Sequence, residues 1–373
     1  MQHHSILLIS YWYPNKSNKN FGIFVKRHAQ AIKDENNVIV LSVIILKGKS
    51  LFKKTIETFH DENGIENHQF YFESKFNKLL YVLLPLHYLV IKKYVLKNII
   101  ISNQINYIHS NVIFPCGIIG YWLSKKLKIK HVITEHWTRI DKFFNKSFYA
   151  GFGKKALNNA YSITCVSTTL KTTIQKYTTN NKFFIVPNVI DSAQFFYDNS
   201  IKKNQVLTFI AVASWMPHKN PFYFLNALQS LKNNHKLNEF KMIIVGKGGQ
   251  IDDIKKMNYG FEIEYTGSLD AQEIKLLLNK SHIFLHGSDY ETFSVIIAEA
   301  LMCGLPCVVS PYGIATEVIN ESNGFVTNNT PEDWENKILK CYQTEYNNKY
   351  ISEQLKGKYD IQTVGKLMME AYK

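Results

Sequence analysis

Cysteine is scarce. Cys116, Cys165, Cys303, Cys307 and Cys341 are odd in number, include no CxxC pair and stand mostly among apolar neighbours. That argues against a disulfide framework or a zinc site and reads as reduced core residues. Long hydrophobic runs are also lacking. The longest, "LLYVLLPLHYLVI" at 79–91, has 13 residues and contains Pro85 and His87, short of the roughly 18 to 20 that span a bilayer. No leader is expected, because "SILLIS" is too short for a signal core and runs into "YWYP". A cytoplasmic location follows. No solenoid repeat or low-complexity tract is present. Acidic residues are scarce in the first half only: residues 1–200 hold 26 Lys and Arg against 11 Asp and Glu, whereas residues 201–373 hold 18 against 19. A one-sided field of this kind points to an anionic partner for the first half, nucleic acid or a membrane surface. The plain alternative is a solvated basic face in a Lys- and Asn-rich chain.

What is present fits two domains. The chain has 373 residues, 46% hydrophobic and 14% aromatic, enough for substantial cores. Short β-rich runs ("SILLIS", "NVIVLSVIIL", "YIHS", "KHVITEH", "YSITCVS", "KFFIVPN") alternate with helix-length segments such as 22–34 and 116–128, the pattern of a parallel sheet with covering helices. After a polar stretch at 187–204 the pattern restarts with "VLTFIAVAS", a helix from about 220 to 232, "FKMIIVG", "FEIEYTG", "SHIFLHG" and "PCVVS". The expected fold class is α/β, two Rossmann-like halves joined by a linker.

The stretch "HGSDYETFSVIIAEALMCGLPCVVS" at 286–310 carries two carboxylates, Glu291 and Glu299, in a mostly apolar run. A strand ending at Gly287, a loop, and a helix starting near Thr292 to Ser294 and closing at Gly304 are predicted. The N–H groups of Thr292, Phe293 and Ser294 then form an anion seat at a helix N-terminus, on the edge where open α/β sheets bind ligands. Acceptors for sugar hydroxyls beside a phosphate seat account for both glutamates. The bland alternative, a first-turn acid and a solvated one, suits Glu291 but fits Glu299 poorly, since "VIIAEALMCG" is apolar on nearly every side and a buried carboxylate needs partners.

The segment from Ser288 to Thr327 resembles the donor-binding region of family 4 retaining glycosyltransferases of the GT-B fold: a Glu, seven residues, a second Glu, then a small residue, "GLPCVVS" and an "E…NG" tail. "AVASWMPHKNP", "IIVGKGG", "IEYTGSL" and "FFIVPNVIDSAQF" are similar to further motifs of that family, in the same order, as are "YWYPNKSNKNFGIFVKRHAQAI" and "HVITEHW" in the first half. The resemblance implies two Rossmann-like domains facing each other across a cleft. Residues 1–198 would bind the acceptor, residues 199–356 the nucleotide-sugar donor, and a C-terminal helix at about 357–373 would pack back on the first domain.

By the same resemblance Glu291 would hold hydroxyls of the donor sugar and Glu299 the ribose hydroxyls. Thr292, Phe293, Ser294 and Val295 would offer backbone to sugar and diphosphate. Lys219 would neutralise the diphosphate, Gly22 belongs to the glycine loop closing on it, and His136 would stand beside the reacting sugar. Gly246 and Gly248 would let the chain turn near the nucleotide, while Gly267 and Leu269 would border the base. Two departures stand out: Ser214 replaces the family's usual Arg five residues before Lys219, with Lys247 or Arg27 as substitutes, and the glycine loop reads "NFG" where many members have adjacent glycines.

The implied activity is retaining transfer of a sugar from a nucleotide-diphosphate sugar, UDP rather than GDP, to a glycan or lipid-linked acceptor in bacterial surface-polysaccharide synthesis. No other cofactor is implied. No DxD pair stands ready for a metal and Asp252 and Asp253 are adjacent and helical, so metal independence is expected. The alternatives are a weakly active or inactive nucleotide-sugar-binding protein of the same fold, or an epimerase. A nicotinamide fingerprint fails because residue 251 is Ile, and no nucleic-acid-binding signature accompanies the basic half. His109 reads first as a structural packing residue and second as a residue lining a crevice; His286, at a strand end, is a further candidate near the donor, and His3 and His4 read as surface residues. Segment 74–100 joins apolar residues to Lys75, Lys78, Lys92, Lys93 and Lys97, the composition of an element lying on an anionic membrane, at the inner face of the cytoplasmic membrane. The competing reading is a core helix pair broken at Pro85.

Overall fold

Strands covered on both faces must be apolar along their length, and the runs ILLI, VIVL and MIIV satisfy that. The computed structural model describes residues 3–80 and 83–373. The chain forms two compact units, one of residues 1–189 with 361–373, the other of residues 190–360.

The first unit is built on β1 (His4–Ser10), β2 (Asn36–Lys47), β3 (Lys53–His60), β4 (Glu66–Ser74), β5 (Tyr107–Asn111), β6 (Lys130–Glu135), β7 (Ser162–Cys165) and β8 (Phe183–Ile185). They lie in the order β3-β4-β2-β1-β5-β6-β7-β8, parallel except where β3 runs antiparallel to β4. The order reverses between β1 and β5, so the loops leaving those strands open a crevice at the carboxyl edge. The helix Ile361–Glu370 lies against the helix Ile23–Ile32: Val364, Met368 and Tyr372 share one core with Val25, Ala29 and Ile32. Glycine is required at Gly365, where a Cβ would stand 2.1 Å from the carbonyl oxygen of Ala31.

The second unit carries β9 (Leu207–Val212), β10 (Phe240–Val245), β11 (Glu262–Gly267), β12 (Ile283–His286), β13 (Cys307–Val309) and β14 (Gly324–Val326), all parallel, in the order β11-β10-β9-β12-β13-β14. Its reversal falls between β9 and β12, the strands that lead into the loops of Lys219 and Glu291. Two neighbouring helices, Phe222–Asn233 and Pro331–Gln343, cover one face through Phe224, Leu228, Trp334 and Ile338.

Two expectations, on Pro85 and on the helix start, are corrected, and for His109 the packing reading holds. His109 does not face a crevice: it is fully buried in β5, its Nδ1 paired with the Tyr372 hydroxyl at 2.6 Å and its Nε2 with Thr134 Oγ1 at 2.6 Å. Pro85 breaks no helix but sits in the first turn of Leu84–Tyr94, where its missing N–H costs nothing. The helix near Glu291 begins at Val295, not at 292–294, because Ser294 adopts a left-handed φ of 68°. Residues 81 and 82 of the apolar run 79–91 lie outside the described residues.

Burial lowers the pKa of His28 to about 4, His87 to about 4, His109 to about 3 and His131 to about 3. These rings are neutral in the fold but protonate near pH 6.5 when unfolded. Below pH 6.5 the unfolded chain therefore binds more protons, and the stability these groups give is lost as pH falls, at up to about 1.4 kcal/mol per unit per group. Glu135, pushed up to about 7 by burial, acts in the opposite sense, but it is one group against four. Calorimetry should show the melting temperature of the first unit falling steadily from pH 7 to 4.5; a flat profile would mean these histidines ionise freely in the fold.

Candidate functional site

In the second unit the loops after β9 and β10 are joined backbone to backbone. Ala213 N–H donates to Val245 at 3.1 Å and Trp215 N–H to Lys247 at 2.9 Å. Only glycine permits this approach. Gly246 has φ 115° and a Cβ there would lie 1.9 Å from the Ala213 oxygen; Gly248 has φ 155° and a Cβ would lie 2.1 Å from the Trp215 oxygen. Gly246 N–H in turn donates to Gly267, at 2.7 Å, with Gly267 in the left-handed region and Leu269 half-buried just beyond it. Ser214 is exposed at the start of the β9 loop, and Lys247 is exposed beside it. Arg27 belongs to the first unit, where its guanidinium donates to the Val189 carbonyl at 3.4 Å.

The loops after β9 and β12 are fastened as well. Asp289 N–H donates to the His218 carbonyl at 2.8 Å, and His218 stacks on Tyr290 with ring centres 4.7 Å apart. This places Lys219 in an ion pair with Glu291. Glu291 also pairs with His286 Nε2 at 3.1 Å, a nitrogen that meets Ser294 Oγ at 3.2 Å. Burial works to raise the Glu291 pKa, but the His286 hydrogen bond and the Lys219 charge more than offset it and hold the carboxyl at about 2. It is a carboxylate at any physiological pH.

Behind Glu291, Phe293 is buried while Thr292 and Val295 are half-buried. The Phe293 carbonyl accepts from Ile314 N–H at 2.9 Å, and at Gly313, φ 66°, an added Cβ would lie 2.5 Å from the Phe293 oxygen and 3.0 Å from Glu291 Cβ. The helix Val295–Met302 then starts with first-turn N–H groups that have no partner within the helix. Ser294, strained at positive φ, turns the chain into it. Glu299 is half-buried in the second turn. Lys219, Glu291, Ser294 and Val295 thus come together at the sheet's reversal point. Asp252 and Asp253 are exposed in the helix Gln250–Lys255, and no group of three metal-ligating side chains occurs among the described residues.

In the first unit, Gly22 caps the helix Ile23–Ile32 at φ 67°, pressed so close to the Trp12 backbone that a Cβ would lie 2.2 Å from its carbonyl carbon. His136 directly follows β6 and is 6% exposed. Its Nε2 meets Asn111 Oδ1 at 3.2 Å, and its ring lies 4.7 Å from Phe24 and 5.3 Å from His28. Burial and the neighbouring His28 and His109 hold it neutral. The Nδ1 atoms of His136 and His28 and the Asn111 Nδ2 are buried without a hydrogen-bond partner, which is costly unless a ligand group engages them.

Sequence reasoning missed Glu135, the residue that sets this turn. It is 1% exposed, and its carboxylate accepts from three backbone N–H groups: Ile113 at 2.7 Å, His136 at 2.8 Å and Trp137 at 2.7 Å. A carboxylate closing an apolar strand, "KHVITE", was the available signal. Asn111 and His28 left no such trace, since a lone Asn or His on a buried element is ordinary.

Comparison with known proteins adds the following. Residues 192–357 match the family described as glycosyl transferases group 1, and residues 41–194 match glycosyltransferase family 4. An uncharacterized glycosyltransferase of Methanocaldococcus jannaschii is 26% identical over 69% of this chain and 71% of its own length. The UDP-Gal:alpha-D-GlcNAc-diphosphoundecaprenol alpha-1,3-galactosyltransferase of Escherichia coli is 30% identical over 39% of this chain and 41% of its own. Among solved structures, the HepE protein of Anabaena, crystallised with UDP and glucose, superposes with a TM-score of 0.70 at 17% identity, covering 99% of each chain.

Removing the Glu135 side chain leaves two buried N–H groups and one half-buried one without their acceptor, at about 1 to 3 kcal/mol for each buried group. Glu135→Ala should therefore cost several times more stability in urea unfolding than Glu135→Gln, which keeps an acceptor oxygen. Equal losses would show that the carboxylate does not hold the turn.

Proposed function

The chain belongs to the family 4, group 1 glycosyltransferases of the GT-B fold, and on that premise we propose that it transfers a hexosyl group, with retention, from a UDP-sugar to a lipid-linked or glycan acceptor in surface-polysaccharide assembly. The observation that carries this is the meeting of Lys219, Glu291 and the N-terminus of the helix Val295–Met302. Breaking the bond from the anomeric carbon to the diphosphate leaves its electron pair on phosphate and positive charge on the sugar. A site must stabilise both. Lys219 and the first-turn N–H groups serve the leaving phosphate without a metal ion, and Glu291 accepts from sugar hydroxyls. The acceptor oxygen bonds the anomeric carbon on the face from which the diphosphate departs, and its proton passes to the departing phosphate oxygen. Paired catalytic carboxylates of hydrolytic type are not part of this scheme, since Glu291 and Glu299 are both assigned to donor hydroxyls.

The donor roles of Ser214, Gly246, Gly248, Gly267, Leu269, Thr292, Phe293 and Glu299 belong to residues 199–356, and those of Gly22 and His136 to the acceptor-side residues 1–198. Lys247, exposed in the loop paired with that of Ser214, stands in for the missing Arg. The Escherichia coli relative, named for its UDP-galactose donor and diphosphoundecaprenol-linked acceptor, and the UDP in the Anabaena crystals support the choice of donor base and acceptor class.

A panel of nucleotide sugars, monitored for nucleoside diphosphate release, tests the reading. Lys219→Ala should lower turnover by a few kcal/mol of transition-state stabilisation, and Lys247→Ala by less. Activity of Lys219→Ala within twofold of the parent would remove the diphosphate assignment. Glu291→Gln should slow turnover while leaving UDP affinity equal or tighter, because Lys219 loses its competing partner; Glu299→Ala should weaken UDP itself. The same change in UDP affinity for both would contradict the division between sugar and ribose.

Contact with an anionic membrane belongs to the same proposal. No helix among the described residues is long and apolar enough to cross a bilayer. The helix Leu84–Tyr94 buries Leu84, His87 and Ile91 but exposes Leu86 and Leu89, with Lys93 and Lys97 exposed nearby; the side chain of Lys78 lies outside the described residues. Pro85, Tyr88, Trp122 and Phe152 line an open hollow of about 510 Å³ rimmed by Lys125 and Lys155, and Phe148 is 89% exposed. Each cation near an anionic surface contributes about 1 kcal/mol, screened by salt. Sedimentation should show binding to anionic vesicles at low salt that fades as salt rises; equal binding to neutral vesicles would remove the role of the cations, and no binding to either would return the acceptor to solution.

A further inference from the structure

The first unit holds a cavity of about 360 Å³ at the carboxyl edge of its sheet, formed by the ends of β1 and β2 and the segments after β5 and β6. This is where an open α/β sheet places ligands. Among the described residues no charged side chain lines it, although this half of the chain holds 26 Lys and Arg. Its walls are aromatic: Trp12, Phe21, Phe114 and Trp137, closed by aliphatic residues of β2, with Ser17 and Asn18 on the rim.

These rings are held in place. Phe114 packs on Phe143 at 5.4 Å and on Tyr149 at 5.8 Å, Trp137 on Phe143 at 6.3 Å, and Trp12 on Phe24 at 6.1 Å. Phe24 also touches His136, at 4.7 Å, so the cavity wall and the His136 turn are one packed assembly. The Trp137 N–H is one of the three that Glu135 fixes. Among the polar groups, Asn15 spends its oxygen on Ser17 and Asn18 N–H groups and its amide on the Tyr13 carbonyl, and the Tyr11 hydroxyl is paired with His87. Rigid aromatic walls with a few polar groups at the mouth suit a ligand with apolar faces and a hydroxylated edge.

We propose that this cavity holds an uncharged pyranose ring of the acceptor, stacked between the indoles of Trp12 and Trp137, and that it discriminates against uronates. The proposal rests on the glycosyltransferase reading and names the acceptor's chemistry. A carboxylate in this cavity would leave water for a site with no counter-charge. The orphaned ring nitrogens of His136 and His28 lie behind the same wall, reached through Phe24.

Tryptophan fluorescence of the full chain, titrated without donor, tests this independently of turnover. The probes are methyl glycosides of hexoses, N-acetylhexosamines and glucuronic acid, with n-octanol as an apolar probe. Saturable quenching by the neutral glycosides is expected, with the glucuronide at least about tenfold weaker at pH 7. Trp137→Ala should weaken the neutral glycosides about tenfold and Trp137→Phe much less. Phe21→Ala, at a position 40% exposed, serves as a second variant should Trp137→Ala fail to fold. Equal or tighter binding of the glucuronide, competition by octanol, or unchanged affinity in both Trp137→Ala and Phe21→Ala would overturn the proposal. Nucleotide-sugar turnover in the absence of glycoside binding would sink this cavity alone, whereas glycoside binding without turnover would sink the transferase reading instead.

Discussion

A carboxylate taken out of water must be compensated where it stands, and each unit is organised around one. In the first, Glu135 is met by three backbone N–H groups, so it fixes the path of the main chain. In the second, Glu291 is met by Lys219 and His286, so it fixes the position of side chains. The difference shows in their protonation. Amide donors alone do not overcome burial, and Glu135 is left near 7; an ammonium and an imidazole do, and Glu291 lies near 2. One carboxyl is a structural tie, the other a permanent charge.

Both depend on how closely parallel-strand loops can approach. A side chain at residue 246, 248 or 313 would collide with backbone of a neighbouring loop, so these glycines are explained by loop-to-loop contact before any ligand is considered. The chain reaches its functional geometry through main-chain proximity at the sheet's reversal points. That is a property of strand order more than of any single residue.

This explains what could be read from the sequence. Strands such as "FKMIIVG" and "SHIFLHG" were legible because burial on both faces leaves an unbroken apolar run. The hairpin of β3 and β4 was not, since "KKTIETFH" is half exposed and "ENHQFYFES" hides its polar groups in specific pairings such as Tyr71 to Gln69. Glu291 and Lys219 were found through spaced motifs, but their ion pair was not, because it is fixed by contacts between His218, Asp289 and Tyr290 across loops far apart in sequence. The late helix start rests on one left-handed serine, a conformation that composition does not announce. For His109 packing was the favoured reading, but its partners, Tyr372 and Thr134, could not be named because they come from distant parts of the chain.

The Lys219–Glu291 pair has a bearing on the end of the catalytic cycle. On the proposed assignment, an intact donor gives each member a new partner, diphosphate for the lysine and sugar hydroxyls for the carboxylate, so parting the pair is repaid on both sides. After transfer only the nucleotide remains. Glu291 then has no sugar to hold and competes with the diphosphate for the same ammonium, so the site works against its own product. Free phosphate and pyrophosphate meet the same competitor. The site thereby favours the one ligand that satisfies both charges together, and expulsion of the spent nucleotide is built into the resting arrangement of two side chains.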